Sequence, residues 1–258
     1  MNEISPAWSY SFLLILIRTS GMLVSAPLLS HKGIPSWTKV GFAVFFALVL
    51  VPLQGNNLPA PPEQLGDVAA GVIREVLFGL ALGLGMNLVF IGIQMGSHII
   101  GLQMGFGLGG IFDPVSGVEN GVLDQFYALL VTLVFFTING HYMVIQTLAE
   151  TVRAIPPGTF DPFTVHSTAG MAALMAGLMV SALRVAMPVM VALFLADLGL
   201  GFVARTVPQM NILMVGMPLK VVVGVLVLGA SLPVTMQVMN GVISTSLAGS
   251  SQQLLGVH

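Results

Sequence analysis

Four charged residues sit in or against long apolar stretches, where charge is costly: Arg18 within 7–29, Glu75 at the head of an uncharged run, and Arg184 and Asp197 within 167–203. An arginine facing hydrocarbon at mid-span costs about 2.5–3.5 kcal/mol on insertion scales. Arg18, Glu75, Arg184 and Asp197 are therefore expected to be buried charges. Arg18 has no acid three or four residues away, and Arg184 and Asp197 are too far apart on one helix to meet. Their partners must come from other segments or other chains. Ser97-His98 and Ser116-Gly117 with His141 supply the residue types of an intramembrane serine protease. Adjacent helical residues point in different directions, however, and Ser116 follows Pro114 in a loop, so no nucleophile–base pair is expected.

Other chemistry is equally thin. No GxxxxGK[ST] loop cradles phosphate and no HExxH pair holds zinc. The run Gly105-Phe106-Gly107-Leu108-Gly109-Gly110 lacks the βαβ context of a dinucleotide fingerprint. His31, His98, His141, His166 and His258 have no metal-ligand spacing, and the absence of cysteine excludes thiolate sites and disulfides. Eight Lys+Arg against ten Asp+Glu give a net charge of −2, with no basic cluster for nucleic acid. The residues indicate a protein that is not an enzyme and takes no cofactor or metal.

The elements that carry these residues are apolar helices. Of 258 residues, 56% are hydrophobic and 7% charged, against about 25% charged in soluble domains, which excludes a water-soluble globular enzyme. The segment from Ala7 to Leu29 has no basic residue before Arg18 and a poor cleavage site, so it reads as a retained first helix rather than a signal peptide. Residues 40–51 stop at Pro52, too short for a straight span of about 20 residues. They fit the core of a longer helix beginning near Pro35, or a buried segment. Val76–Phe112 carries no charge and is too long for one span. It must break or stay dry inside protein, and the glycines from Gly105 to Gly110 mark the break. Small residues at every fourth position, Ser97, Gly101, Gly105 and Gly109, with Gly92 and Gly96 before them, form a stripe for close helix approach. Residues 122–149 are interrupted at Asn139-Gly140-His141. The stretch 167–203 contains Pro188, which predicts a kink near Arg184, and 221–247 contains Pro233. Five to six apolar segments result, several of abnormal length. Two explanations remain open: an ordinary polytopic protein with snorkelling charges, or helices buried in a multi-chain assembly.

The segment Gly105–Gly121 mixes Phe106, Leu108, Ile111 and Phe112 with Gly107, Gly109, Gly110 and Gly117, and adds Asp113-Pro114. An ordinary connecting loop is more polar. Such a segment fits a buried connector, or a plug that seals a channel by apolar packing and yields through its glycines. The sixteen methionines fit adaptable core filling.

At 196–220 the chain reads ADLGLGFVARTVPQMNILMVGMPLK, with Arg205, Pro208, Gln209, Asn211, Pro218 and Lys220 in one pattern. Together with GLGGIFDPVSG, this resembles the FliR family of flagellar export-gate proteins and their counterparts in virulence type III secretion. The resemblance covers nearly the whole chain. It implies an all-α fold of hydrophobic hairpins with kinked and broken helices, built into a multi-subunit helical export gate. It also implies a single export-gate domain over 1–258. Residues 1–165 would be the FliP-like part, with a plug loop at 105–121, and 166–258 the FliQ-like part. The implied partners are FliP and FliQ in several copies, FlhB, and unfolded flagellar substrates. The implied location is the flagellar basal body in the bacterial inner membrane. Arg205–Lys220 would be an assembly turn, with Gln209 and Asn211 satisfying backbone groups and Arg205 pairing with a neighbour's acid. The alternative from another class is a monomeric secondary transporter with a midplane site near Arg18, Arg184 and Asp197.

Overall fold

The computed structural model describes residues 5–27, 33–55, 58–106, 121–160, 167–207, 209 and 211–255. Among the described residues seven α-helices follow one another: α1 (Pro6–Ser25), α2 (Ser36–Leu50), α3 (Leu65–Met104), α4 (Val122–Thr137), α5 (Gly140–Ala154), α6 (Ser167–Thr206) and α7 (Ile212–Leu255). A 3₁₀ turn at Val51–Gln54 extends α2. No strand occurs among the described residues. Five helices are long and apolar enough to cross a membrane, or six spans if the bent pair α4–α5 counts as one.

Local chemistry accounts for the helix ends. The Ser5 side chain accepts a hydrogen bond from Trp8 N, and Pro6 occupies the first turn of α1, where a missing N–H does no harm. Pro35 stands immediately before α2, and with the 3₁₀ turn the element reaches 19 residues, so the apparently short run 40–51 is the middle of a longer helix. Between α4 and α5, Asn139 adopts φ +56° and the axis bends by 65°. The left-handed region is one that asparagine tolerates better than most residues. Within the uncharged run after Glu75 the helix stays unbroken as far as Met104 and stops at the first of the marked glycines. α3 continues for 40 residues, about 60 Å at 1.5 Å per residue. It ends where Gly105, at φ +90°, lets Gly105 N bond Leu102 O and Phe106 N bond Gly101 O. That pair of bonds is a Schellman stop. α6 likewise runs through Pro188 as one element of 40 residues.

The chain forms two compact units: residues 1–88, 139–175 and 244–258, and residues 89–138 and 176–243. In the first, the stripe Leu14, Ile15, Arg18, Met22 on α1 is fully buried. The α1 and α3 backbones touch there. A Cβ on Gly79 would collide with Arg18 O, and one on Gly83 would lie 2.6 Å from Met22 O. In the second unit, Gly92 and Gly96 of α3 play the same part against Leu178 O and Ala182 O of α6, at 2.8 and 2.7 Å from a built Cβ. In apolar surroundings helix association rests on such close van der Waals packing, because lipid tails already solvate apolar side chains. Methionine fills around these approaches: Met104 folds over Gly224, and Met22 and Met86 are buried.

Candidate functional site

The first unit is organised around one ion pair. Arg18 and Glu75 have no exposed side-chain surface, and Arg18 Nε donates to Glu75 Oε2 at 2.6 Å while Nη2 donates to Oε1 at 3.0 Å. Arg18 Nη1 donates to Thr151 O at 3.0 Å and Ile155 O at 3.1 Å. These carbonyls lie at the C-terminal end of α5, where helix acceptors lack donors and a cation is favoured. Gly158, at φ +84°, donates its N–H to Glu75 Oε1 at 2.7 Å. The Phe78 ring lies under the guanidinium, 4.7 Å from Cζ, and packs on Phe160 at 4.4 Å. The proline-marked loop after α5 thus completes the site. Four of five guanidinium N–H groups and both carboxylate oxygens are engaged. Two buried charges are tolerable only with such bidentate geometry and saturated hydrogen bonding. The site holds three helices together.

The second unit carries two lesser polar centres. Asp124, in the first turn of α4, accepts from Gly121 N at 3.1 Å and from Ser97 Oγ at 2.7 Å, and lies 3.3 Å from His98 Nδ1. Ser97 and His98 therefore reach the same carboxylate although they are neighbours on α3, but no Ser–His contact joins them, so the order required of a catalytic relay is absent. Gln94, His98, Asp124 and Gln125 line an open groove of about 460 Å³. Lys220 Nζ meets Asp197 Oδ1 at 2.6 Å across the α6–α7 hairpin. Beside it lies a cavity of about 420 Å³ whose walls include Met104, Gly105, Gly201, Gly216 and Met217. Among the described residues no group of His, Asp or Glu could hold a metal.

Two expected buried charges stand elsewhere. Arg184 is exposed on α6 rather than buried, and Asp197 and its partner Lys220 are both partly exposed, with 41% and 25% of their side chains accessible. In the turn, Asn211 accepts from Met214 N through Oδ1 at 3.4 Å, while Arg205 and Gln209 are exposed and Pro218 lies inside α7 on an exposed face. Pro208 falls outside the described residues. So do Gly107, Leu108, Gly109, Gly110, Ile111, Phe112, Asp113, Pro114 and Gly117; of the apolar plug residues only Phe106 is described, and it is 40% exposed.

Sequence reasoning missed the partners Glu75, Thr151 and Ile155 of Arg18, and the Lys220–Asp197 pair. For the latter a signal existed. Positions 197 and 220 are nearly equidistant from the turn at 207–211, and in an antiparallel helical hairpin such positions face each other. For Arg18 and Glu75, 57 residues apart in sequence, no comparable arithmetic applies.

The chain matches the family described as bacterial export proteins, family 1, over residues 9–246. It is 31% identical to the flagellar biosynthetic protein FliR of Bacillus subtilis over 251 residues, covering 96% of this chain and 95% of that protein. It is 31% identical to FliR of Escherichia coli over 230 residues, 88% and 86% of the two chains. The secretion system apparatus protein SsaT of Salmonella typhimurium is 25% identical over 234 residues, 88% of each. A chain whose described residues fold into helices around a buried ion pair, with extensive uncovered apolar faces, is matched almost end to end, and it belongs to the family of bacterial export proteins, family 1.

Proposed function

We propose that this chain is a structural and gating subunit of a flagellar type III export channel in the bacterial inner membrane. It assembles with FliP and FliQ, contacts FlhB, and lines the conduit for unfolded flagellar proteins. Residues 1–165 serve as its FliP-like part and 166–258 as its FliQ-like part. The observation that carries this reading is the uneven cover of its apolar helices. The apolar window of α3 is 61% buried within the chain, that of α2 22% and that of α7 17%. Trp37, Phe45, Met214 and Leu226 stand on the open faces. Such faces suit a chain whose packing is finished by other subunits, and its relatives are named as a flagellar biosynthetic protein and a secretion system apparatus protein.

The gating role falls on the segment 105–121. Its two ends are firmly tied, one by the Schellman stop at Gly105 and the other by Asp124 holding Gly121 N. A glycine-rich apolar stretch between fixed posts can seal a lumen by packing and reopen by backbone rotation. Phe106, Leu108, Ile111 and Phe112 form the seal, and Gly107, Gly109, Gly110 and Gly117 supply the freedom, with Asp113-Pro114 at its centre. Arg205 at the end of α6, Pro208, Gln209 and Asn211 between the helices, and Pro218 and Lys220 in the first turns of α7 form the segment through which the subunit assembles. A transporter site at Arg18, Arg184 and Asp197 finds little support: Arg18 is saturated by Glu75, and Asp197 is held by Lys220.

The test is a mass measurement of the complex extracted from its native membrane, together with conductance of that membrane. The expected result is a multi-subunit assembly containing two smaller hydrophobic proteins in unequal copy number. Deleting Gly107–Gly117 is expected to leave the assembly intact and make the membrane leaky to ions. A solitary chain would overturn the assembly reading, and unchanged conductance in an assembled deletion variant would remove the plug.

A further inference from the structure

The two faces of α6 differ sharply. One buries Ala182, Val185, Ala186, Val189 and Leu193, with Gly92 and Gly96 of α3 admitting its backbone. The other carries Val180, Arg184, Met187, Val191, Leu198 and Phe202, at the three- and four-residue spacing of a single helix side, and all six are exposed. Arg184 makes no ion pair or hydrogen bond among the described residues. Pro188 moreover has no N–H to give the carbonyl of Arg184, so a backbone acceptor is freed at the same level of the helix.

This face suits neither water nor lipid. Water would leave a column of large apolar side chains uncovered. Hydrocarbon would disfavour the lone guanidinium on the order of a hundredfold, and seventeen residues of helix, about 25 Å, separate Arg184 from the start of α6. We infer that this face docks an apolar helix of another subunit that carries one Asp or Glu placed to meet Arg184. The inference rests on the export-apparatus reading above. A planar guanidinium pairs with a carboxylate through two parallel bonds, which sets the register of two otherwise featureless helices. A second copy of this chain is a poor occupant. Among the described carboxylates, Glu75 is consumed by Arg18, Asp197 by Lys220 and Asp124 by Ser97 and Gly121, while Glu150 is bonded by Gln146. Glu63 precedes α3 and Asp67 lies in its first turn, away from any mid-helix apolar face.

The experiment places the photo-crosslinker p-benzoylphenylalanine at Val180 or Met187 of the full chain, in cells that assemble the whole apparatus, and maps the adduct by mass spectrometry. The expected adduct joins a hydrophobic protein at an apolar helix containing one Asp or Glu. Arg184→Leu is expected to lower its yield about tenfold, and Arg184→Lys to lower it less. Arg184→Glu is expected to abolish the adduct, and changing the mapped acid to Arg in the same cells to restore it to within about twofold. Adducts to lipid alone, adducts to a helix without an acid, or failure of the charge exchange would each overturn the inference. Any of those results obtained from a complex of multi-subunit mass leaves the export-apparatus reading standing. A solitary chain sinks both.

Discussion

Arg18 and Arg184 are the same side chain set deep in apolar helices, and the molecule treats them in opposite ways. Arg18 meets a carboxylate, two helix-end carbonyls and an aromatic face, all from its own unit. Arg184 meets none of these and stands exposed in an apolar column. Neither arrangement follows from composition, since both residues lie in runs of mostly apolar side chains. The difference is one of stage. Arg18 is satisfied when the chain folds, so its role is to fix the packing of α1, α3 and α5. Arg184 has no partner among the described residues, and on the docking inferred above its role begins at assembly. Substitutions at the first site are therefore expected to act on the isolated chain, and those at the second only on the complex.

The largest effect is expected at the buried pair. Arg18→Leu leaves Glu75 without its cation, and Glu75→Leu leaves a guanidinium without its acid; each is expected to cost about 3–5 kcal/mol. The double replacement Arg18→Met with Glu75→Leu is expected to cost much less than the two single losses added, because no charge remains stranded. Thermal unfolding of the detergent-solubilised chain measures all three. Arg184→Leu in the same assay is expected to leave the midpoint unmoved. A single-chain destabilisation by Arg184→Leu comparable to that of Arg18→Leu would erase the contrast.

A smaller effect sharpens it. Arg18 can reach Glu75 because Gly79 brings the α1 and α3 backbones together, and Gly79→Ala would drive a methyl into Arg18 O. Helix propensity alone favours alanine by about 1 kcal/mol, so the expected net loss of about 1–3 kcal/mol is the steric cost outweighing that gain. Gly41 on α2 has open space around a built Cβ, and Gly41→Ala is expected to stabilise the chain slightly. The opposite signs, read as shifts in unfolding midpoint, separate a packing glycine from an incidental one. Equal shifts would mean that the α1–α3 approach is loose.

These contrasts also mark what could be read from the residues alone. Although the residues gave five to six apolar segments where seven helices are described, the helix boundaries at Pro35, Gly105 and Asn139 were legible, because proline and positive-φ positions act locally. The unbroken length of α3 was not. A sequence apolar on every side has no phase to say which face is covered, and its uncharged run reads equally well as one helix or two. The need of Arg18 for a distant partner was legible from the lack of a nearby acid; the identity of that partner was a matter of three-dimensional packing. The exposure of Arg184 was hidden for a related reason. Hydropathy reports what a residue dislikes, and it does not report whether the same chain supplies the remedy.

Between the two arginines lies an intermediate case, the Lys220–Asp197 pair, made within the chain yet only partly sheltered, with 25% and 41% of the two side chains accessible. Solvent screening limits what such a pair contributes, so Lys220→Met is expected to shift the stability of the isolated chain by only about 0.2–1 kcal/mol. The small size is informative because of where the pair sits. It spans the α6–α7 hairpin on the wall of an open cavity, and its loss leaves Asp197 charged beside Met104, Gly201 and Met217. If another subunit covers this edge, the same substitution costs more in the complex than in the isolated chain, since the carboxylate is then both unpaired and desolvated. Measuring Lys220→Met in both states, with Asp197→Asn as the companion, locates the edge on the scale set by Arg18 and Arg184. Equal small shifts in both states place it at an open surface, and a penalty seen only on assembly places it under a neighbour.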